Sequence, residues 1–148
     1  MDIAFDTSVL IGLLDPQDLW HPQAVALYDA LRSAGFTGVY FDCAIAETIS
    51  TATRRLREKK RADEIAPLLG RLNASFPPES LTWILPDVST LYPEILSLVR
   101  TSKGELNFND ALIALACRER GIPSIASFDR DFDQVSWLRR LAEAGKVA

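Results

Sequence analysis

The stretch PSIASFDRDFD (123–133) joins a short apolar segment to three aspartates at every second position. The apolar part, PSIASF (123–128), is typical of a buried β-strand, and Asp129, Asp131 and Asp133 follow directly at its end. Three interpretations of this acidic end are open. It is a calcium loop of the EF-hand type, a solvated turn capped by an aspartate, or one part of a metal site whose other carboxylates lie elsewhere.

The EF-hand interpretation is disfavoured by the residues that come next. After D-x-D-x-D, such a loop needs glycine at its sixth position and glutamate at its twelfth. Gln134 and Arg140 occupy those positions. The capped turn and the shared metal site therefore remain.

The rest of the chain alternates short apolar segments with segments of helical periodicity. Strands are predicted at 2–5, 38–41, 80–86 and 123–128, with a short fifth at VSWL (135–138). Helices are predicted at 7–15, 22–35, about 43–60, 62–74 with an interruption at Pro67, 90–102 with Pro93 in the first turn, and 109–121. This alternation predicts an α/β fold with a short, mainly parallel central sheet of four to five strands between two layers of helices.

Composition predicts one globular domain over residues 1–148, with 48% hydrophobic and 24% charged residues. Two isolated cysteines without metal-binding spacing are typical of buried thiols in a cytoplasmic protein. The start MDIAFD lacks the basic region of a signal peptide, and the apolar runs at 9–14 and 111–117 are too short to cross a bilayer. We therefore expect no membrane association.

Acidic residues occur where the predicted strands end and helices begin. Asp6 and Asp129 each follow a strand, Glu47 lies in the first turns of the helix after the second strand, and Asp110 opens a helix. The carboxyl ends of parallel strands share one edge of a sheet, so the four side chains are expected to converge there. Each has an ordinary explanation alone, as a helix cap, a partner of the helix dipole or a surface charge. Together they favour Mg²⁺ or Mn²⁺, because clustered carboxylates repel one another without a cation.

Other catalytic arrangements find little support. His21 is the only histidine, so a histidine-based triad and a two-histidine zinc site are absent from the sequence, and we interpret His21 as structural. The glycine-rich motifs that hold nucleotide phosphates are absent as well.

A basic run, RRLREKKR (54–61), stands out in a chain of net charge −4. It is either the solvated face of a helix or a surface that contacts nucleic-acid phosphates. The cations concerned are Arg54, Arg55, Arg57, Lys59, Lys60 and Arg61.

Four motifs together resemble the PIN domain family in order and spacing. They are DTSVLIGLL (6–14), the glutamate on the helix after the second strand, NFNDALIALA (107–116) and SFDRDFD (127–133). The resemblance covers essentially the whole chain. The chain is similar in size to the VapC-type toxins of toxin–antitoxin pairs.

The resemblance implies a metal-dependent endoribonuclease in which an activated water hydrolyses an RNA phosphodiester bond. The matching acids Asp6, Glu47, Asp110 and Asp129 would hold Mg²⁺ or Mn²⁺. Asp131 would act through a water, and Thr7 or Ser8 would supply a supporting hydroxyl. Asp133 would belong to the turn or lie behind the metal ligands. Homodimers, and an antitoxin protein that inserts its C-terminal segment into the active-site groove, are also implied.

Three other functions remain open from the sequence. One is a PIN nuclease that acts in RNA maturation or decay, or on DNA. Another is a carboxylate–metal phosphatase, which needs a D-x-D motif after the first strand, whereas Thr7 and Ser8 follow Asp6. The third is an interaction module without catalytic activity.

Overall fold

A five-stranded parallel sheet organises the chain, with the strand order β3-β2-β1-β4-β5. The computed structural model describes residues 1–147. The predicted α/β class with a short parallel sheet is confirmed. The strands are β1 (Asp2–Phe5), β2 (Thr37–Phe41), β3 (Leu81–Thr82), β4 (Ser124–Ala126) and β5 (Arg139–Leu141).

Six α-helices connect and cover these strands, with short 3₁₀ turns between them. The chain moves from β1 outward to β2 and β3, and then returns past β1 to β4 and β5. Because crossovers between parallel strands are right-handed, the four helices before β3 and the two after it lie on opposite faces of the sheet. The helices are α1 (Thr7–Leu14), α2 (His21–Ser33), α3 (Asp42–Glu58), α4 (Ile65–Ser75), α5 (Val88–Thr101) and α6 (Phe108–Arg120).

The reversal of strand order lies between β1 and β4. Ligands of such sheets bind beyond the carboxyl ends of the strands at this point. β1 is buried from Ile3 to Phe5, and α6 is buried continuously from Asp110 to Cys117. The core thus fixes the two elements that flank the reversal.

The third predicted strand is mostly wrong, because only Leu81 and Thr82 pair with β2. The backbone N–H groups of Ile84 and Leu85 instead donate to the buried carboxylate of Asp42, at 2.9 and 3.0 Å. The Asp42 carboxylate thus takes N–H groups that would otherwise pair with β2. The strand ends there, and a 3₁₀ helix follows.

The predicted fifth strand at 135–138 is also wrong, since β5 begins at Arg139. Val135 and Leu138 are buried, but their N–H groups donate to carbonyls three residues earlier, at 3.1 Å in both cases. The apolar residues of this segment therefore fill the core from a turn.

Two prolines lie within their helices at positions that differ from the prediction. Pro67 does not interrupt a helix but lies in the first turn of α4, where an N–H has no helical partner. Pro93 lies beyond the first turn of α5, because that helix begins at Val88 rather than at residue 90.

Both cysteines are free and buried, as expected. None of the helices formed by residues 1–147 has the length and apolarity needed to cross a membrane.

Candidate metal centre

An open pocket of about 250 Å³ lies at the carboxyl ends of β1 and β4. The four predicted acids all line it from parts of the chain that are distant in sequence, so the predicted convergence is observed. The lining consists of Asp6, Thr7, Ser8, Ile11, Asp18, Trp20, Glu47, Thr51, Arg55, Asn107, Asp110 and Asp129.

Asp6 lies deepest among the acids and is 5% exposed. Its backbone N–H donates to the Ala126 carbonyl at 3.0 Å, which continues the pairing of β1 with β4. Its Oδ2 accepts hydrogen bonds from Ser127 Oγ at 2.7 Å and from Ser8 Oγ at 3.0 Å. Burial raises the pKa of Asp6 and the charge of Asp129 adds to the rise, while the hydroxyl groups lower it.

The same two hydroxyl groups connect β1 to the acidic turn. Ser127 Oγ accepts from the backbone N–H of Asp129 at 3.0 Å, and Ser8 Oγ accepts from that of Phe128 at 3.1 Å. Ser8 was predicted as a supporting hydroxyl, whereas Ser127 was assigned no role. Each hydroxyl orients Asp6 and the turn at once, so the relative position of Asp6 and Asp129 is fixed by side chains as well as by the sheet.

Asp110 is 7% exposed and forms a capping box with Asn107 at the start of α6. Asp110 Oδ2 accepts from the Asn107 N–H at 3.1 Å, and Asn107 Oδ1 accepts from the Asp110 N–H at 2.9 Å. The pKa of Asp110 rises to about 7, chiefly because the carboxyl is buried and further because three carboxylates surround it. Those neighbours are Asp6, Glu47 and Asp129.

Glu47 reaches the pocket from α3 and is half-buried. Its Oε2 lies 3.4 Å from Thr7 Oγ1 and 3.4 Å from Asn109 Nδ2. Thr7 Oγ1 also lies 3.3 Å from the Ala44 carbonyl oxygen. Thr7 therefore orients Glu47, while Ser8 orients Asp6.

The three aspartates of the opening stretch separate in the structure. Asp129 lines the pocket and caps a 3₁₀ helix, since its Oδ1 accepts from the Asp131 N–H at 2.9 Å. Asp131 lies outside the lining, and its pKa is raised by desolvation and by the neighbouring charge of Asp129. Asp133 turns away to Arg140, with 2.8 Å between its Oδ1 and the guanidinium Nε. The capped turn and the acidic site are thus the same feature.

Only one cation of the predicted basic run lines the pocket. Arg55 Nη1 lies 3.9 Å from Asp18 Oδ1, on the pocket wall. Arg61 is instead engaged by two carboxylates, Glu64 and Asp15, with the latter at 3.3 Å. Arg54 pairs with Glu58 on the helix surface, while Arg57, Lys59 and Lys60 are exposed and lie outside this lining.

Sequence reasoning missed several lining residues, and helical spacing was a usable signal for Thr51. Glu47, Thr51 and Arg55 follow one another at intervals of four and so share one face of α3. Asp18 and Trp20 come from the loop before α2, where no periodicity indicates which side chains face the pocket.

The donor set fits a hard divalent cation in its chemistry. It consists of carboxylate and hydroxyl oxygens, which Mg²⁺ and Mn²⁺ prefer. The pKa values of Asp6 and Asp110 are raised chiefly by burial and further by neighbouring acids, which is the electrostatic cost of holding these carboxylates in the pocket. Within residues 1–147, however, no three His, Cys, Asp or Glu side chains are arranged to hold an ion. Closing around a cation would require these carboxylates to turn toward one another.

Comparison with models of protein families shows the family of the chain. The family model for the PIN domain matches residues 3–138.

The chain belongs to the PIN domain family.

A solved structure supports the same fold for this PIN domain. VapC20 of Mycobacterium tuberculosis, a toxin that cleaves the sarcin-ricin loop, superposes with a TM-score of 0.68 at 21% sequence identity. The match covers 91% of this chain and 95% of that one. A search among curated proteins finds no significant match.

Proposed function

We propose that this PIN domain is a metal-dependent endoribonuclease and the toxin of a VapBC-type toxin–antitoxin pair. The observation that carries the proposal is the convergence of Asp6, Glu47, Asp110 and Asp129 in one open pocket. This pocket lies where the strand order reverses, which is the position expected for a ligand in a parallel sheet. The fold shared with VapC20, a toxin that cleaves RNA at the sarcin-ricin loop, favours RNA as the substrate.

The four acids would hold Mg²⁺ or Mn²⁺, with Asp131 contributing through a water. When bound, such an ion would acidify a water molecule and stabilise charge on the leaving oxygen. Burial raises the pKa of Asp110 to about 7, so this carboxyl is partly protonated near neutral pH. Binding of a cation at this carboxylate therefore competes with that proton, and metal affinity should rise with pH.

Proton transfer by histidine plays no part in this proposal. The only histidine, His21, points its Nδ1 to the Gly12 carbonyl oxygen at 2.7 Å and lies outside the pocket lining. The structural interpretation of His21 agrees with this contact. Arg55, the cation of the pocket lining, would contact a substrate phosphate.

The test is cleavage of several RNAs by the purified chain with Mn²⁺ or Mg²⁺. We expect cleavage to be lost in EDTA and to fall by at least about 100-fold in Asp110→Asn, because the substitution removes a charged ligand of the ion. Asp133→Asn is the matched control, since Asp133 belongs to the same acidic turn as Asp129 but pairs with Arg140. Undiminished cleavage by Asp110→Asn would contradict the proposal.

The proposal includes an antitoxin partner, a homodimer and action in the cytoplasm. Co-purification with the product of an adjacent small gene would identify the antitoxin, and sedimentation would give the oligomeric state. A nuclease that cuts RNA but has no such neighbour would instead act in RNA maturation or decay. A chain that binds neither metal nor RNA would be an interaction module.

A further inference from the structure

One aromatic side chain of the acidic pocket is open to solvent. Trp20 lines the pocket with Asp6 and Asp129, yet 43% of its surface is exposed. Its ring stacks on Phe128, with 4.9 Å between the ring centroids and 19° between the planes. Because Phe128 covers one face of the indole, the opposite face is the one that a ligand could contact.

The polar edge of this indole is also free, in contrast to the other tryptophans. Trp83 Nε1 donates to the Pro78 carbonyl at 3.3 Å, and Trp137 Nε1 donates to the Ala114 carbonyl at 2.7 Å. Among the hydrogen bonds of residues 1–147, Trp20 Nε1 has no acceptor. A half-exposed tryptophan with an open face and a free donor has the properties of a binding surface.

The position of Trp20 is fixed by its backbone. The Trp20 N–H donates to Asp18 Oδ2 at 2.9 Å, and the Trp20 carbonyl accepts from the Ala24 N–H at 2.8 Å. Gly12 permits the start of α2, directly after Trp20, to lie close to α1, since a Cβ on residue 12 would come within 2.9 Å of the Ala24 Cβ. The stacked pair is therefore held in place before any ligand arrives, which reduces the entropy lost on binding.

Phe128 is held equally firmly and ties the pair to the acids. Its N–H donates to Ser8 Oγ, the hydroxyl that also binds Asp6. Asp129 is the next residue along the chain. A planar group stacked on Trp20 would thus lie beside the predicted metal ligands.

The charge of the pocket explains why such a contact is needed. Asp6, Asp18, Glu47, Asp110 and Asp129 line it against the single cation Arg55. The chain as a whole carries a net charge of −4. Phosphate contacts alone are therefore a weak source of affinity here, whereas stacking of a base on an aromatic ring does not depend on positive charge.

We propose that Trp20, supported by Phe128, is a stacking platform for a nucleobase of single-stranded RNA next to the acidic site. This inference rests on the proposed function, because it assigns a substrate contact to the same pocket. The platform positions the nucleotide beside the bond to be cut. It reads the flat face of a base and so admits more than one base.

The test is binding of a 2′-O-methyl RNA oligonucleotide, which resists hydrolysis, measured by fluorescence anisotropy with Mg²⁺. We expect Trp20→Ala and Trp20→Leu to weaken binding by about 5- to 150-fold, the range found for loss of one base–aromatic stack. Trp20→Leu keeps an apolar cover over Phe128, so a loss in both variants separates stacking from structural support. Trp20→Phe should recover most of the affinity.

Trp83→Ala is the matched control, since Trp83 is 56% exposed and lies outside the pocket lining. Circular dichroism verifies that every variant is folded. Unchanged binding by Trp20→Ala would overturn the inference. So would affinity lost in Trp20→Ala but kept in Trp20→Leu, because that result assigns Trp20 to structural support.

The inference and the proposed function fail separately. If the wild type cuts RNA in a metal-dependent manner but binds the oligonucleotide as tightly as Trp20→Ala does, the nuclease stands and the platform does not. If the wild type cuts no RNA but loses oligonucleotide affinity in Trp20→Ala and Trp20→Leu, the platform stands and the nuclease does not. If Trp20→Ala weakens binding only of a co-purified protein, Trp20 belongs to a protein interface and the inference is overturned.

Discussion

Replacing Asp110 by asparagine should stabilise the metal-free protein at neutral and alkaline pH. The substitution removes a charge from a buried carboxyl group that is surrounded by three other acids. Asparagine keeps an oxygen that can accept from the Asn107 N–H, so the capping box of α6 can persist. The function of Asp110 is thus expected to oppose the stability of the fold.

The size of the effect follows from the pKa. The ordinary pKa of an aspartate is 3.8, and burial raises the pKa of Asp110 to about 7 in the folded state. At 1.36 kcal/mol per unit this rise corresponds to about 4 kcal/mol. Screening by solvent in the open pocket lowers the expected gain in the free energy of unfolding to on the order of 2 kcal/mol.

The pH dependence has a definite sign. Between the unfolded and folded pKa values the folded state binds more protons, so wild-type stability falls as pH rises from about 4 to about 7 and then levels off. Asp110→Asn lacks this contribution. The difference between variant and wild type should therefore be near zero at about pH 4 and reach its maximum above about pH 7.

Urea unfolding in EDTA across this pH range measures the difference directly. Asp42→Asn is the matched control, because Asp42 is equally buried but accepts from three backbone N–H groups. Asparagine has only one side-chain oxygen, and its NH2 group would face a backbone N–H that now donates to the carboxylate. This variant should therefore lose stability. The reasoning would be refuted if Asp110→Asn were less stable than the wild type at about pH 8.

Two further predictions concern packing and substrate binding. Gly12→Ala should destabilise the fold by about 1–3 kcal/mol, since its Cβ would meet the Ala24 Cβ at 2.9 Å. Gly70→Ala should instead stabilise the fold by about 0.4–1 kcal/mol, because a Cβ at this position of α4 would meet open space. Equal effects of the two substitutions in urea unfolding would contradict the close contact at Gly12. Arg55→Gln should weaken RNA binding at fixed salt more than Arg61→Gln does, because Arg61 is neutralised by Asp15 and Glu64. Equal losses in a filter-binding assay would show that the pocket wall has no special role.

The position of the acids was predictable because it follows from topology. Once the strands are parallel, Asp6 and Asp129 must share an edge, and the helices that begin there carry Glu47 and Asp110. This argument uses only where strands end and helices begin, so errors of a few residues do not change it.

Other features were not predictable because they depend on tertiary hydrogen bonds. The 80–86 strand is cut short by a carboxylate about forty positions earlier, Asp42, which reads from sequence as an ordinary helix start. The apolar residues at 135–138 satisfy the core from a turn, and strand periodicity cannot distinguish the two. Trp20 reaches the pocket from a loop, and its contact with Phe128 joins residues more than 100 positions apart.

The central claim is that the four acids form a cation site, and calorimetric titration of the metal-free chain with Mn²⁺ tests it most directly. The account predicts that one or two ions bind, with release of protons at about pH 7 and with affinity rising with pH. Asp110→Asn should lose this binding, and Asp133→Asn should retain it. Absence of binding by the wild type, or equal affinity in Asp110→Asn, would contradict the account.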